Sequence, residues 1–372
     1  MKMIFICETV DENHQVLAST AERIKYFALH PDVEHVDVIA LRVGDYDLPA
    51  NVKIHTLKHK KNPNVTDRFR TLYKFYRIVV HLCRHTRINV IYCYMGAIYP
   101  ILLFPIKLLF RPQICLWWGH TIAVPITKLS VHFFVDKWFT ANKTTAPLNT
   151  RNLHLVGQGV DQDLFKDTKL AKKFDFITVG RISPVKRTDL IIRALSLCRS
   201  RIGKDVSLLI CGNPLTEQDL KYKEDLISMI SGLRLEDNIE FAGKVLYKNM
   251  PYMYNQSRCF VFATPGGVGK ALLEAMSCAL PMIVAEPNMT DFFPKHIADL
   301  VLCHNNAESI ASSMVEMINR SEDERREIGQ SLRQLVEEKY SLQNLTDRIV
   351  KIIGEPTTDA PFGHCLYRNS GD

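Results

Sequence analysis

An apolar run, a loop of three glycines and a run of helix formers follow one another over residues 259–281, and few folds can use that succession. Cys259-Phe-Val-Phe262 has the length and unbroken apolarity of a parallel strand covered on both faces. Gly266, Gly267 and Gly269 then let the backbone turn tightly and come close to a ligand. From Lys270 the run Ala-Leu-Leu-Glu-Ala-Met-Ser-Cys-Ala is rich in helix formers, Pro281 stops it, and residues 282–285 read as the next strand. Strand, glycine loop and helix N-terminus together make an anion site. The first N–H groups of the helix lack partners, and its dipole is positive at that end. Glu274 lies one turn further in, where a carboxylate suits sugar hydroxyls, as in dinucleotide-binding folds.

Gly269-Lys270 also looks like the end of a G-x-x-x-x-G-K-[ST] phosphate loop. Thr264 stands at its first glycine and Ala271 at its magnesium-binding hydroxyl, which argues against an NTPase. A second phosphate signal is Val179-Gly-Arg-Ile-Ser-Pro-Val-Lys186. Gly180 ends a strand, and Arg181 and Lys186 follow in a loop at the mouth of a helix. Two fixed cations there can neutralise a diphosphate, Arg as a fork and Lys as a point charge.

At 372 residues the chain is long enough for two domains, and 47% hydrophobic with 23% charged residues is ordinary for a globular protein. Strands are predicted at 3–7, 35–41, 52–57, 90–95, 114–118, 138–141 and 153–156. A linker follows at 158–173, then strands at 174–180, 206–211, 239–242, 259–262, 282–285 and near 300–303. Helical patterns alternate with them at 17–29, 66–87, 98–110, 188–197, 220–231, 307–319, 322–339 and 343–353. Alternation of this kind means α/β architecture with doubly wound parallel sheets. The expected layout is a domain at 1–160 completed by a helix near 343–356, a second domain at 170–340, and a tail at 357–372. Two such domains in tandem would face each other across a cleft.

The net charge of +7 is unevenly placed. Residues 1–165 hold 20 Lys/Arg against 13 Asp/Glu, and residues 166–372 hold 27 of each. Within 53–87 ten Lys/Arg meet one acid, Asp67. The first half is thus expected to meet something anionic. In the 66–87 helix, Phe69, Leu72, Tyr76, Val79 and Cys83 form an apolar face opposite Arg70, Lys74, Arg77, His81 and Arg84. That face reads either as a solvated surface or as peripheral contact with anionic lipid headgroups. Residues 88–106 carry no charge, but Gly96, Pro100 and Pro105 favour a strand and a short helix over a membrane span. The ten scattered cysteines, none in C-x-x-C, read as reduced core residues of a cytoplasmic protein. No metal-ligand cluster stands out, and no nucleic-acid module accompanies the basic helix.

Taken together, these motifs resemble the family-four, or group 1, glycosyltransferases, retaining enzymes of the GT-B fold. Val179-Gly-Arg181 with Lys186 matches the family's V-G-R-x-x-x-x-K loop, and Phe241-Ala-Gly-Lys-Val245 its F-x-G-x-V strand end. Gly267, Leu272-Leu-Glu-Ala-Met276 and Pro281 match E-G-x-x-x-x-L-L-E-A-M-x-x-x-x-P. The stretch from Gly157 to Phe165 is similar to x-x-N-G-V-D-x-x-x-F. The resemblance implies transfer of a sugar from a UDP- or GDP-linked donor to a glycan or lipid-linked acceptor, with no cofactor and no metal. It implies that Arg181 and Lys186 bind the diphosphate and that Gly180 belongs to their loop. Gly266, Gly267, Val268, Gly269 and Lys270 would hold phosphate or sugar, Glu274 the ribose, and Lys244 and Val245 would lie beside the base. His120, in Trp118-Gly-His-Thr121, would stand near the donor sugar. Two departures are plain. Gly266 replaces a glutamate that faces the transferred sugar, and the loop Glu8-Thr-Val-Asp-Glu-Asn-His-Gln15 lacks the usual glycine pair. A catalytically silent nucleotide-sugar binder and a nucleotide-sugar epimerase of the same fold are the alternatives.

Overall fold

The structure, a computed structural model, describes residues 1–14, 17–60, 62–119, 124–146 and 148–356. The described chain divides into two compact units, 1–157 together with 342–356, and 158–341. Each unit is a parallel sheet with helices on both faces.

The first unit holds β1 (Lys2–Val10), β2 (His35–Val43), β3 (Val52–Thr56), β4 (Val90–Tyr94), β5 (Gln113–Trp117), β6 (Lys137–Thr140) and β7 (Leu153–Leu155). Their order is β3-β2-β1-β4-β5-β6-β7, with every pair parallel. The helix Leu342–Gly354 belongs here. Its Leu345, Ile349 and Val350 pack in the core formed with Phe27 and Phe139. The buried Lys137 ammonium donates to the carbonyls of Ile352, Ile353 and Glu355 at the end of that helix. A cation at a helix C-terminus satisfies exposed carbonyls and opposes the dipole, so the contact fixes where the chain returns.

The second unit holds β8 (Phe174–Val179), β9 (Leu208–Cys211), β10 (Ile239–Gly243), β11 (Ser257–Phe262) and β12 (Met282–Val284), in the order β10-β9-β8-β11-β12, again all parallel. Strand alternation sends Phe260 and Phe262 to one face, against Leu272 and Leu273, and Cys259 and Val261 to the other, against Ile191 and Ala311. All nine described cysteines are unpaired thiols, and eight are buried.

Three expectations need correction. Residues 300–303 do not form a strand. Lys295–Val301 is a helix that buries Ile297, Ala298 and Val301, and Leu302 makes only an isolated bridge to Val284. The uncharged stretch splits at Leu103 into two short helices, Ile98–Leu102 and Phe104–Phe110, after β4. In the basic helix Val65–His85 the buried positions are Phe75, Val79 and Leu82, while Phe69 and Tyr73 are 68% and 70% exposed. Among the described residues no helix is long and apolar enough to cross a membrane.

β8, β9 and β10 lead into or end on a glycine, Gly180, Gly212 and Gly243, with φ of +150°, +149° and +66°. Gly212 is the most constrained, because a Cβ there would sit 1.8 Å from the Gly180 carbonyl oxygen. Gly212→Ala should therefore cost about 3 kcal/mol or more, from overpacking and backbone strain. Gly232→Ala, at a helical site with nothing within 4 Å, should be neutral or stabilising by up to about 1 kcal/mol. Urea midpoints of the two variants check the contrast.

Candidate functional site

In the second sheet the strand order reverses between β8 and β11, and in doubly wound sheets ligands bind at the carboxyl ends of strands at that point. A crevice lies there, lined by Val179, Gly180, Lys186, Cys211, Phe262 and Thr264 among others. Two sequence motifs 80 residues apart thus meet through the pairing of neighbouring strands, Phe260 opposite Ile177.

Lys186 is placed by a single helical turn, Pro184–Lys186, whose proline presets the backbone and whose Lys186 N–H donates to the Ser183 carbonyl at 2.9 Å. Arg187, left-handed at φ +53°, turns the chain into the helix Thr188–Ile202. The Lys186 stem then lies along Gly180, where an added Cβ would come within 3.2 Å of Cε. Glycine at 180 therefore makes room for the lysine. Burial, and then the neighbouring Arg181, lower the Lys186 pKa. No carboxylate stands within ion-pair distance of its ammonium among the described residues.

Arg181 differs. It is 44% exposed, and its Nε lies 3.7 Å from Asp219 Oδ2. Asp219 belongs to a capping box with Thr216 and also accepts the Leu215 N–H at 3.1 Å. Asp219 was not among the expected site residues, although Thr216-x-x-Asp219 after Gly212-Asn-Pro214 is a capping-box signature legible in the sequence.

The glycine loop has the geometry its composition demands. Gly266 and Gly267 take φ of +94° and +110°, and nothing lies within 4 Å of a Cβ built on Gly266. Gly269 packs against the Phe262 ring and caps the helix Lys270–Ser277, which no side chain caps. The first N–H groups of that helix are thus left to backbone, water or ligand. Lys270 lies 5.5 Å from the centre of the Tyr247 ring. Lys244 is exposed and Val245 half-buried, just beyond β10.

Glu274 is not among the residues lining the crevice. It is buried, and the Tyr254 hydroxyl donates to its Oε2 at 2.9 Å. Burial raises its pKa, against the opposing pull of Lys270 and the Tyr254 hydrogen bond. His120 falls outside the described residues. Among the described residues no group of three His, Cys, Asp or Glu side chains is arranged to hold a metal ion.

Sucrose-phosphate synthase from Thermosynechococcus elongatus superposes with a TM-score of 0.72, covering 94% of this chain and 98% of that one at 14% identity. Anabaena HepE in complex with UDP-glucose does so with a TM-score of 0.68, over 95% and 99% at 14% identity. The fold is therefore that of the GT-B class. Residues 160–335, a little under half of the chain, match the family described as glycosyl transferases group 1. D-inositol 3-phosphate glycosyltransferase of Salinispora tropica is 29% identical over 113 residues, 29% of this chain and 23% of that protein. The chain thus spans about a quarter of the length of that curated relative.

The Glu274 pKa gives a pH test of the empty protein. A folded pKa raised above the ordinary 4.5 of a glutamate means that the native state binds more protons between the two values. Stability therefore falls as pH rises through that window. In Glu274→Gln the amide oxygen can still accept from Tyr254, and no charge is buried. The variant should lose this decline and be the more stable protein at pH 7, read from melting temperatures across pH 4–8.

Proposed function

We propose that the chain transfers a sugar from a UDP- or GDP-linked donor to a hydroxyl of a glycan or lipid-linked acceptor, with retention at the anomeric carbon. The observation that carries this reading is Lys186, a half-buried ammonium at the strand-order reversal with no carboxylate partner among the described residues. A buried cation without a counter-ion is costly, and a diphosphate supplies what is missing. In the proposed step the bond from the anomeric carbon to the diphosphate oxygen breaks, and the acceptor oxygen bonds to that carbon on the same face. The acceptor proton leaves with the diphosphate. The leaving group carries the developing charge, and Lys186, Arg181 and the uncapped helix N-terminus are fixed before it develops. The likeness to HepE with UDP-glucose bound supports a nucleotide-sugar donor, and the resemblance of the motifs to retaining enzymes supports retention. By the same resemblance Glu274 would hold the ribose, a hydroxyl of which would be a donor to its buried carboxylate beside that of Tyr254.

Lys186→Ala and Arg181→Ala should each lose about 2 to 4 kcal/mol of transition-state stabilisation, seen as kcat/KM for sugar transfer. Transfer at the wild-type rate in Lys186→Ala would overturn the assignment. Gly266 favours one rival, a protein that binds nucleotide-sugar without transferring it. A binder of that kind is stabilised by UDP-sugars or GDP-sugars in a melting assay yet forms no product with any acceptor.

The acceptor is proposed to lie at an anionic membrane surface on the cytoplasmic side. In the basic helix, Val65, Phe69 and Tyr73 are more than 65% exposed beside Arg68 and Arg70, and Leu108 and Leu109 are exposed on Phe104–Phe110. Apolar side chains in solvent beside cations are the composition of an interfacial helix. Sedimentation with phosphatidylserine vesicles at low salt should carry the protein down. Phe69→Ser/Tyr73→Ser and high salt should each reduce that, and phosphatidylcholine vesicles should not support it.

A further inference from the structure

At the end of β12 the chain leaves the sheet through Ala285 and Glu286, and Glu286 turns back to the glycine loop. Its Oε2 accepts the Gly266 N–H at 3.3 Å, and its Oε1 accepts from Asn288 Nδ2 at 3.1 Å. The half-buried carboxylate is thereby held beside the loop. The two strand ends are tied at a fixed spacing by Asn305, whose Nδ2 donates to Ala263 O at 3.1 Å and to Ala285 O at 2.6 Å. The Asn305 Oδ1 is buried without a partner among the described residues.

A carboxylate set against an anion-binding loop repels phosphate and accepts from hydroxyls. Its position therefore gives the site a direction. Lys186 stands at the β8 end of the strand edge and Glu286 at the β12 end, two strand spacings or about 10 Å away. The β8 side suits the diphosphate, and the β12 side suits a group rich in hydroxyls and free of charge. The conformation of Gly266 agrees. At φ +94° a side-chain-bearing residue is strained, so a glutamate at 266 would cost backbone energy in this loop, whereas the space in front of Gly266 is open. A carboxylate from the next strand end reaches that space without the strain.

We propose that Glu286 binds the hydroxyls of the donor's sugar and selects which sugar is accepted, in place of the glutamate that position 266 lacks. The inference rests on the nucleotide-sugar reading of the site. Its test is equilibrium binding of UDP, GDP, UDP-glucose and GDP-mannose to wild type, Glu286→Gln and Glu286→Ala. The wild type must first bind at least one nucleotide-sugar. If it binds none, the reading of the site fails, and this inference fails with it. Given that binding, both variants should bind that nucleotide-sugar at least about tenfold more weakly. Their affinity for its nucleoside diphosphate should stay within about twofold, because the Lys186 side is untouched. In Glu286→Gln the amide oxygen can still accept the Gly266 N–H, so a carboxylate that merely braces the loop predicts no loss in that variant. Equal weakening of sugar-linked and sugar-free nucleotide, or no weakening of either, overturns the proposal.

Discussion

The backbone of Gly212 runs so close to the Gly180 carbonyl that no side chain fits between them, and the second unit's site depends on that approach. It lets the ends of β8 and β9 turn away together, with the Gly180 N–H on the Cys211 carbonyl and the Ile182 N–H on that of Asn213. The edge is stripped of side chains over two strand ends, and the Lys186 stem fills the room left above Gly180. An ammonium, peptide groups and an uncapped helix are then what a ligand meets there. The catalytic proposal therefore rests first on steric permission, which only glycine gives at these dihedrals, and then on charge.

The same edge carries opposed costs. Burial lowers the Lys186 pKa and raises that of Glu274, so the fold disfavours the charged form of each, one lining the crevice and the other buried outside its lining. Groups of opposite sign, each unsettled in the direction that a ligand's complementary groups would reverse, suit a binding site better than a structural core. The Tyr254 hydroxyl donates to Glu274 Oε2 and so supports a carboxylate that burial disfavours. Stability lost in the empty protein is returned by mass action when a ligand binds.

Much of the second unit was legible because its signals are local. Glycines at 180, 266, 267 and 269 announced tight turns, which all but Gly269 make with positive φ, Pro281 announced a helix stop, and the apolar runs at 174–179 and 259–262 announced buried strands. What was not legible depends on pairing across the sheet or on context. Glu286 reads as an ordinary acid after a strand, and only the register of β11 against β12 brings it beside Gly266. The run at 300–303 was apolar enough for a strand, yet Pro294 starts a helix whose buried stripe ends at Val301. In the basic helix the face expected from Phe69 to Cys83 holds over its later part, where Val79 is buried and Tyr76 and Cys83 pack against the core, and fails at Phe69. The helix is covered only over its later turns, where Phe75, Val79 and Leu82 pack, and Phe69 falls beyond the cover.

The two cations of the V-G-R-x-x-x-x-K loop are not equivalent, although the motif presents them as a pair. Arg181 is nearly half exposed and already faces Asp219, so solvent screens it and a resident carboxylate competes for it. Lys186 is drawn in against Gly180, where water is scarcer and no acid competes among the described residues. At an effective dielectric near 20, unit charges 4 Å apart attract by about 4 kcal/mol, against about 1 kcal/mol in bulk water. The larger share of diphosphate stabilisation should therefore fall to Lys186. Arg181 would steer and orient the phosphate as its planar fork turns away from Asp219. A motif that reads as two like charges thus folds into two different tasks, separated by burial rather than by residue type.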